Sequence, residues 1–315
     1  MILNRFGVAT LAAICTLAAC SDGSGDRAGA DPSADGPVVV ATTSIWADIS
    51  SQVFCGEPVD AVIPVGADPH TFEPSLRDRE RLDAADLVVA NGGGLEDSLT
   101  DLLATVADGG GNLVEMMPHI DVIATDDDHT DDDHAEEEDD EHGHGIGGDP
   151  HVWQDPTRVA GALDVIASAG TAIGLDDCNE TFAAELSGLD AEIDALLADI
   201  PPAQRVLVTS HDSLAYFADR YDLEVIGTVI PSTNTLAQTN ASDLADLAEL
   251  IEARAVPAIF TEELESTADA DALAERLGVA IVPLVTDALT DDTATDTYVE
   301  MMRSNATKIA EALTP

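Results

Sequence analysis

Asp68-Pro69-His70 and Asp149-Pro150-His151 repeat one tripeptide at two distant points of the chain. Proline fixes its own φ and holds the residue before it extended, so each histidine leaves a stiff, predetermined backbone. A metal ligand needs that stiffness, because an imidazole has to point at the ion before the ion arrives. Proline recurs close behind both copies, at Pro74 and Pro156. A third histidine, His211, stands in Val208-Thr209-Ser210-His211-Asp212, and the run from Leu284 to Asp292 offers Asp287, Asp291 and Asp292. Imidazole and carboxylate together are ligands for borderline divalent ions, so metal binding is the leading chemistry. Taken alone, His211 serves equally well as a helix cap, and loop aspartates in an acidic chain are ordinarily solvated. A Ser210–His211 nucleophilic pair is disfavoured, because adjacent residues at a strand end point to different faces. His119 has no supporting motif and reads as structural.

The elements that position these residues alternate. Apolar runs predict strands over 38–42, 59–65, 87–90, 205–209, 224–229, 258–261 and 279–285. Between them, helical spacing predicts helices over 45–54, 76–85, 95–106, 156–173, 180–199, 213–220, 241–255, 268–277 and 296–313. Strands alternating with helices imply parallel βαβ units, hence an α/β fold. His70 and His211 each follow a strand, and the carboxyl ends of strands in open α/β sheets are where ligand crevices form. Residues 180–199 keep apolar side chains at Phe182, Leu186, Leu189, Ile193, Leu196 and Leu197, a long helix ended by Pro201-Pro202.

The 315 residues carry 62 acidic and 12 basic side chains, a net charge of -50. Such a surface repels nucleic acid and anionic headgroups and attracts cations. Residues 126–144 form an acidic insert with no core-forming residue and four of the eight histidines: His129, His134, His142 and His144. Spaced imidazoles among carboxylates read as an auxiliary metal collector, weaker than a preformed cleft because ordering costs entropy. A solvated charged loop is the plainer alternative.

Arg5 and the apolar stretch 6–19 read as an export signal of residues 1–19. Leu17-Ala18-Ala19-Cys20 resembles a bacterial lipobox, with cleavage before Cys20 and lipid on its sulfur; an ordinary secretory signal cut after Ala19 is the alternative. Residues 20–37 then read as a tether. With Cys15 removed and Cys20 acylated, Cys55 and Cys178 are left in an oxidising compartment, where a disulfide or two separate buried thiols are the choices.

In order, Gly66-Ala67-Asp68-Pro69-His70-Thr71-Phe72-Glu73-Pro74, Asp149-Pro150-His151-Val152-Trp153-Gln154-Asp155-Pro156, the His211 segment and Thr286-Asp287-Ala288-Leu289 resemble the metal-specific substrate-binding proteins of ABC importers (cluster A-I), in particular the zinc-uptake type. Asn91-Gly92-Gly93-Gly94-Leu95-Glu96 belongs to the resemblance and reads as a turn rather than an anion site, given Glu96 and Asp97 beside it. The resemblance implies two lobes, each a parallel sheet flanked by helices, joined by one long rigid helix. The expected divisions are a first lobe over 38–178, an interlobe helix over 179–200 and a second lobe over 201–315. It further implies His70 and His151 as ligands from the first lobe, and His211 and Asp287 from the second. Asp291 is the substitute for Asp287, and Glu262 a neighbour of the ligands rather than one of them. Manganese importers of the same family tend to place glutamate where His211 stands, so zinc is expected as the transported ion. The implied protein is a monomer and not an enzyme, exported, lipid-anchored on the extracytoplasmic face, and partnered by an ABC permease and ATPase. The rival readings are a manganese-binding homologue, a zinc chaperone or adhesin on the same fold, and a zinc hydrolase.

Overall fold

Side chains alternate across a strand, and that alternation sorts the buried apolar residues, among those described, into three clusters. The computed structural model describes residues 36–124, 148–263 and 268–315. One sheet takes β1 (Val39–Ala41), β2 (Asp60–Ala61), β3 (Leu87–Ala90) and β4 (Leu113–Glu115) in the order β2-β1-β3-β4. The other takes β5 (Val206–Thr209), β6 (Glu224–Thr228), β7 (Ala258–Glu262) and β8 (Ala280–Leu284) in the order β6-β5-β7-β8. All pairings are parallel. The fold is therefore α/β with two lobes, each a four-stranded parallel sheet flanked by helices.

Val39, Ala41, Leu87 and Val89 of the first sheet share one buried cluster with Leu207, Ala258 and Phe260 of the second. The intervening residues face outward: Val40, Val88 and Ala90 into a smaller cluster, and Val206, Val208 and Ile259 into another. The inner core thus runs without a break from lobe to lobe. Its helical part comes from α1 (Ser44–Val53), α4 (Pro156–Ala172), α5 (Asn179–Leu197), α6 (Ala215–Arg220) and α9 (Tyr298–Leu313). Helix α5 is the expected interlobe helix, packed along α4 and α9 through Phe182, Leu186, Leu189, Ile193 and Leu197. At the α1–α4 approach, a Cβ on Gly170 would fall 2.1 Å from Phe54, so only glycine fits there.

The remaining helices are α2 (Leu76–Ala84), α3 (Thr100–Asp108), α7 (Ala241–Arg254) and α8 (Ala268–Leu277). Local chemistry explains most starts. Thr43, Asp155, Asn240 and Thr297 accept amides at the first turns of α1, α4, α7 and α9, and Ser75 with Asp78 forms a capping box on α2. Helix α5 has no side-chain cap. Cys178 precedes it, donates its amide to Val53 at 2.8 Å and is cross-linked to Cys55.

Four elements differ from expectation. The helix expected over 95–106 is a 3-10 turn at Asp97–Leu99 followed by α3 from Thr100, because the Glu96 carboxylate is taken up by the Asn91 amide instead of capping a helix. The strand expected over 59–65 shrinks to Asp60–Ala61, although the amides of Val62 and Ile63 still bond the first strand's edge; Pro64 then has no amide to give. Strand β4 was not foreseen, being three residues at a sheet edge behind Gly109-Gly110-Gly111. The helix expected from residue 213 begins at Ala215, because the amides of Asp212 and Ser213 are spent on Ser232 and His211 carbonyls. The leader, Cys20, nearly all of the tether and the insert histidines lie outside the described residues. Among the described residues no helix is long and apolar enough to cross a membrane.

The disulfide closes a sequence separation of 123 and ties the end of α1 to the start of α5. In the chain-entropy treatment such a closure is worth about 5 kcal/mol. Replacing both cysteines by serine is expected to lower the urea midpoint strongly, and reductant to shift the wild type to the same value. An unchanged midpoint in both would show the bond to be energetically idle.

Candidate metal centre

Both Asp-Pro-His copies fold by the same local device. Asp68 Oδ1 accepts the His70 amide at 2.8 Å, and Asp149 Oδ1 accepts the His151 amide at 3.0 Å. Each aspartate bonds across its proline to the amide two residues on, which fixes the histidine's backbone. His151 opens the turn that leads into α4; His211 stands just past β5, and Asp287 just past β8.

These four side chains meet in one place. One donor atom from each of His70, His151, His211 and Asp287 lies within 4.8 Å of all the others, and all four residues are buried. His211 Nε2 stands 3.3 Å from His151 Nε2, and the carboxylate of Asp287 lies 3.8, 3.7 and 3.6 Å from the Nε2 atoms of His70, His151 and His211. Four-coordinate bonds of about 2.0–2.2 Å imply edges of roughly 3.3–3.6 Å between ligand atoms, so the donors already stand near the spacing an ion requires. Asp291 is exposed and outside the group. His119 is likewise exposed and away from it.

The tautomers follow from what stands behind the rings. Asp149 Oδ1 is 2.6 Å from His151 Nδ1, and Glu262 Oε1 is 2.7 Å from His211 Nδ1. With Nδ1–H committed to these carboxylates, both Nε2 lone pairs face each other, an arrangement a cation relieves. Glu262 stands behind His211 and outside the group of four converging donors. Burial raises its pKa, but His211 beside it, with hydrogen bonds from His211, Thr286 and Ser213, holds it well below the usual carboxylate range. His70 differs: neither ring nitrogen makes a hydrogen bond. Burial, then His151 and His211, push its pKa down to about 3, leaving it as the neutral ring that coordinates metals.

The aspartate arm is fixed largely from the other lobe. Trp153 Nε1 donates to the Thr286 carbonyl at 2.8 Å, the Leu289 amide donates to Ser44 Oγ at 3.0 Å, and the Gly66 amide donates to the Leu289 carbonyl at 2.9 Å. From its own lobe Asn305 brackets Val285, accepting its amide at 3.0 Å and donating to its carbonyl at 2.6 Å. The Asn91–Glu96 turn serves the other arm. Glu96 accepts the Asn91 amide at 2.9 Å, while the Asn91 side chain accepts from Trp46 Nε1 at 2.8 Å and donates to the Pro150 carbonyl at 2.9 Å, one residue before His151.

Sequence reasoning missed the role of Asp149 behind His151; the repeated tripeptide was the signal, read only for its proline. It also missed Tyr216. That hydroxyl accepts the Ile123 amide at 3.1 Å and donates to the Asp149 carbonyl at 2.7 Å, while the Asp149 amide bonds Ile123 O at 2.9 Å. A Cβ on Gly148, at φ +135°, would meet Val122 at 2.3 Å. Ile123 and Asp149, which lie on either side of the acidic insert, are therefore stapled together at the base of the site.

Two measurements test this geometry. His70 has an ordinary value of 6.5, so between pH 6.5 and 3 the unfolded chain holds a proton the folded one lacks, and stability falls as pH drops. Going from pH 7 to 5 should cost the metal-free protein about 2 kcal/mol through this group, a loss that His70→Gln removes. Equal losses in both proteins would count against the buried neutral ring. Glu262→Gln keeps the shape but removes the charge behind His211, and calorimetry is expected to show divalent-metal affinity about 10–100-fold weaker. An unaltered affinity would separate Glu262 from the ligand set.

Comparison with known proteins places this geometry. Over residues 39–312 the chain matches the family described as zinc-uptake complex component A, periplasmic. It is 28% identical over 298 residues to the zinc-binding protein TroA of Treponema pallidum, covering 90% of this chain and 91% of that one. It is 26% identical over 296 residues to the manganese-binding lipoprotein MntA of Halalkalibacterium halodurans, covering 90% and 91%. The solved structure of the periplasmic zinc-binding protein TroA superposes with a TM-score of 0.75 at 26% identity, covering 89% of this chain and 100% of that one. A buried donor set of histidine and aspartate, the two-sheet architecture and the near full-length match together make this chain a member of that zinc-uptake component A family, whose members are substrate-binding proteins rather than enzymes.

Proposed function

We propose that the protein captures Zn2+ between its lobes outside the cytoplasm and delivers it to an ABC permease and its ATPase. The observation that carries this reading is the meeting of His70 and His151 from one lobe with His211 and Asp287 from the other. Four protein donors fill a tetrahedral site, which suits binding and release and leaves no position for the water that a zinc hydrolase activates. Three imidazoles and one carboxylate make a nitrogen-rich site, favouring Zn2+ over the harder Mn2+. Relatives named as lipoproteins and as metal ABC transporter substrate-binding proteins support acylation at Cys20, which tethers the chain to the extracytoplasmic face of the membrane. Manganese is the second reading, favoured by relatives named for it, among them a lipoprotein of Streptococcus pneumoniae. The insert histidines His129, His134, His142 and His144 act as weak collectors that raise the ion's concentration near the cleft.

Competition calorimetry with Zn2+ and Mn2+ tests the assignment. The wild type is expected to hold one tight Zn2+, His211→Ala to lose it, and removal of residues 126–144 to lose only weaker sites. The hydrogen bonds joining Ile123, Asp149 and Tyr216 keep that deletion clear of the core. Preference for Mn2+ in the wild type would move the reading to manganese; retention of tight Zn2+ by His211→Ala would remove it altogether.

A further inference from the structure

The two Asp-Pro-His aspartates treat their backbones alike and everything else differently. Asp149 stays within its own loop, bonding both the amide and the ring of His151. Asp68 bonds the His70 amide but never the His70 ring; its Oδ2 instead accepts the hydroxyl of Thr235 at 2.9 Å, 167 positions along the chain. Thr235 lies on the segment between β6 and α7, in the opposite lobe. That segment is wired to the turn carrying His211. The Ile230 amide donates to the Ser210 carbonyl at 2.7 Å, and the Asp212 amide to the Ser232 carbonyl at 3.0 Å. Its tip is shaped by the Asn234 amide on Ser232 Oγ at 3.0 Å and the Leu236 amide on Asn234 Oδ1 at 2.8 Å.

A chain of polar contacts therefore runs from the backbone on both sides of His211, through 230–235, to Asp68 and the His70 amide. Its importance lies in what His70 lacks. His151 and His211 have carboxylates behind their rings, whereas the His70 ring has no hydrogen bond and is aimed by its backbone alone. Two hydrogen bonds tie this loop to the second lobe just ahead of His70: the Gly66 amide on Leu289, which any side-chain change leaves in place, and the Thr235 hydroxyl on Asp68.

We propose that Thr235 is a positioning residue: its hydrogen bond to Asp68 clasps the His70 loop to the second lobe and sets how long a bound divalent ion stays. This rests on the metal-binding reading above. Thr235→Val keeps the shape and removes the donor; Thr235→Ser keeps the donor. Zinc-loaded protein is mixed with excess chelator in a stopped-flow instrument, and release is timed. Loss of one hydrogen bond worth what such bonds usually contribute predicts release about three- to tenfold faster in Thr235→Val, with Thr235→Ser within about twofold of wild type. Release from Thr235→Val at the wild-type rate overturns the clasp, and so does Thr235→Ser releasing as fast as the valine variant. Failure of the functional reading is seen separately, as wild-type protein that does not retain zinc. Amide exchange at His70 in the metal-free protein then tests the clasp by itself. Faster exchange in Thr235→Val than in wild type supports it, and equal exchange overturns it.

Discussion

Three imidazoles and a carboxylate resist being packed together away from water, and the rest of the fold is arranged around holding them so. Each group gives up hydration, and two of the rings present lone pairs to each other at 3.3 Å. Desolvation of that kind is tolerated only where the surrounding frame leaves the groups no alternative position. Here the frame is the uninterrupted core between the sheets. Because one apolar cluster contains strands of both lobes together with α1, α4, α5, α6 and α9, the two ligand pairs cannot drift apart without exposing it. The polar ties across the cleft refine a separation that hydrophobic packing has already set.

This continuity shapes how an ion can leave. Opening the lobes widely would cost buried apolar area, roughly 25 cal/mol for every Å² uncovered. Adjusting a loop costs far less. The two ligand arms are accordingly unequal. Asp287 is gripped on both sides, by Asn305 at Val285 and Trp153 at Thr286 before it and by Ser44 at Leu289 after it, whereas His70 sits on a loop whose strand ends after two residues. On the proposed function, a continuous core with one less constrained donor suits tight binding with exchange.

Much of this was legible in the residues. The βαβ alternation and the long helix could be read because apolar period and length survive in one sequence, and the proline-stiffened histidines could be read because proline acts locally. What escaped was set by distant partners. Strand β4 exists because β3 offers it an edge, and β2 is short because Pro64 ends the amide supply, although the apolar run continues to Val65. Asp149 behind His151 was signalled by the repeated tripeptide, which was read only for its proline, whereas the Asn91 side chain on Pro150 is a hydrogen bond between distant segments that no spacing announces. The choice between Asp287 and Asp291 was of the same kind: neighbours in sequence, one buried against three imidazoles and the other in solvent.

The stem formed by Ile123, Asp149 and Tyr216 carries a consequence for the stretch that it closes off. Three hydrogen bonds close the chain on itself just before the insert begins and just after it ends. Closing a longer excursion adds only slowly to the entropy cost, about 0.6 kcal/mol per doubling. Whatever is spliced between those anchor points, long or short, charged or neutral, leaves His151 where it is. The stem thus uncouples the length of that stretch from the placement of the cradle beneath it.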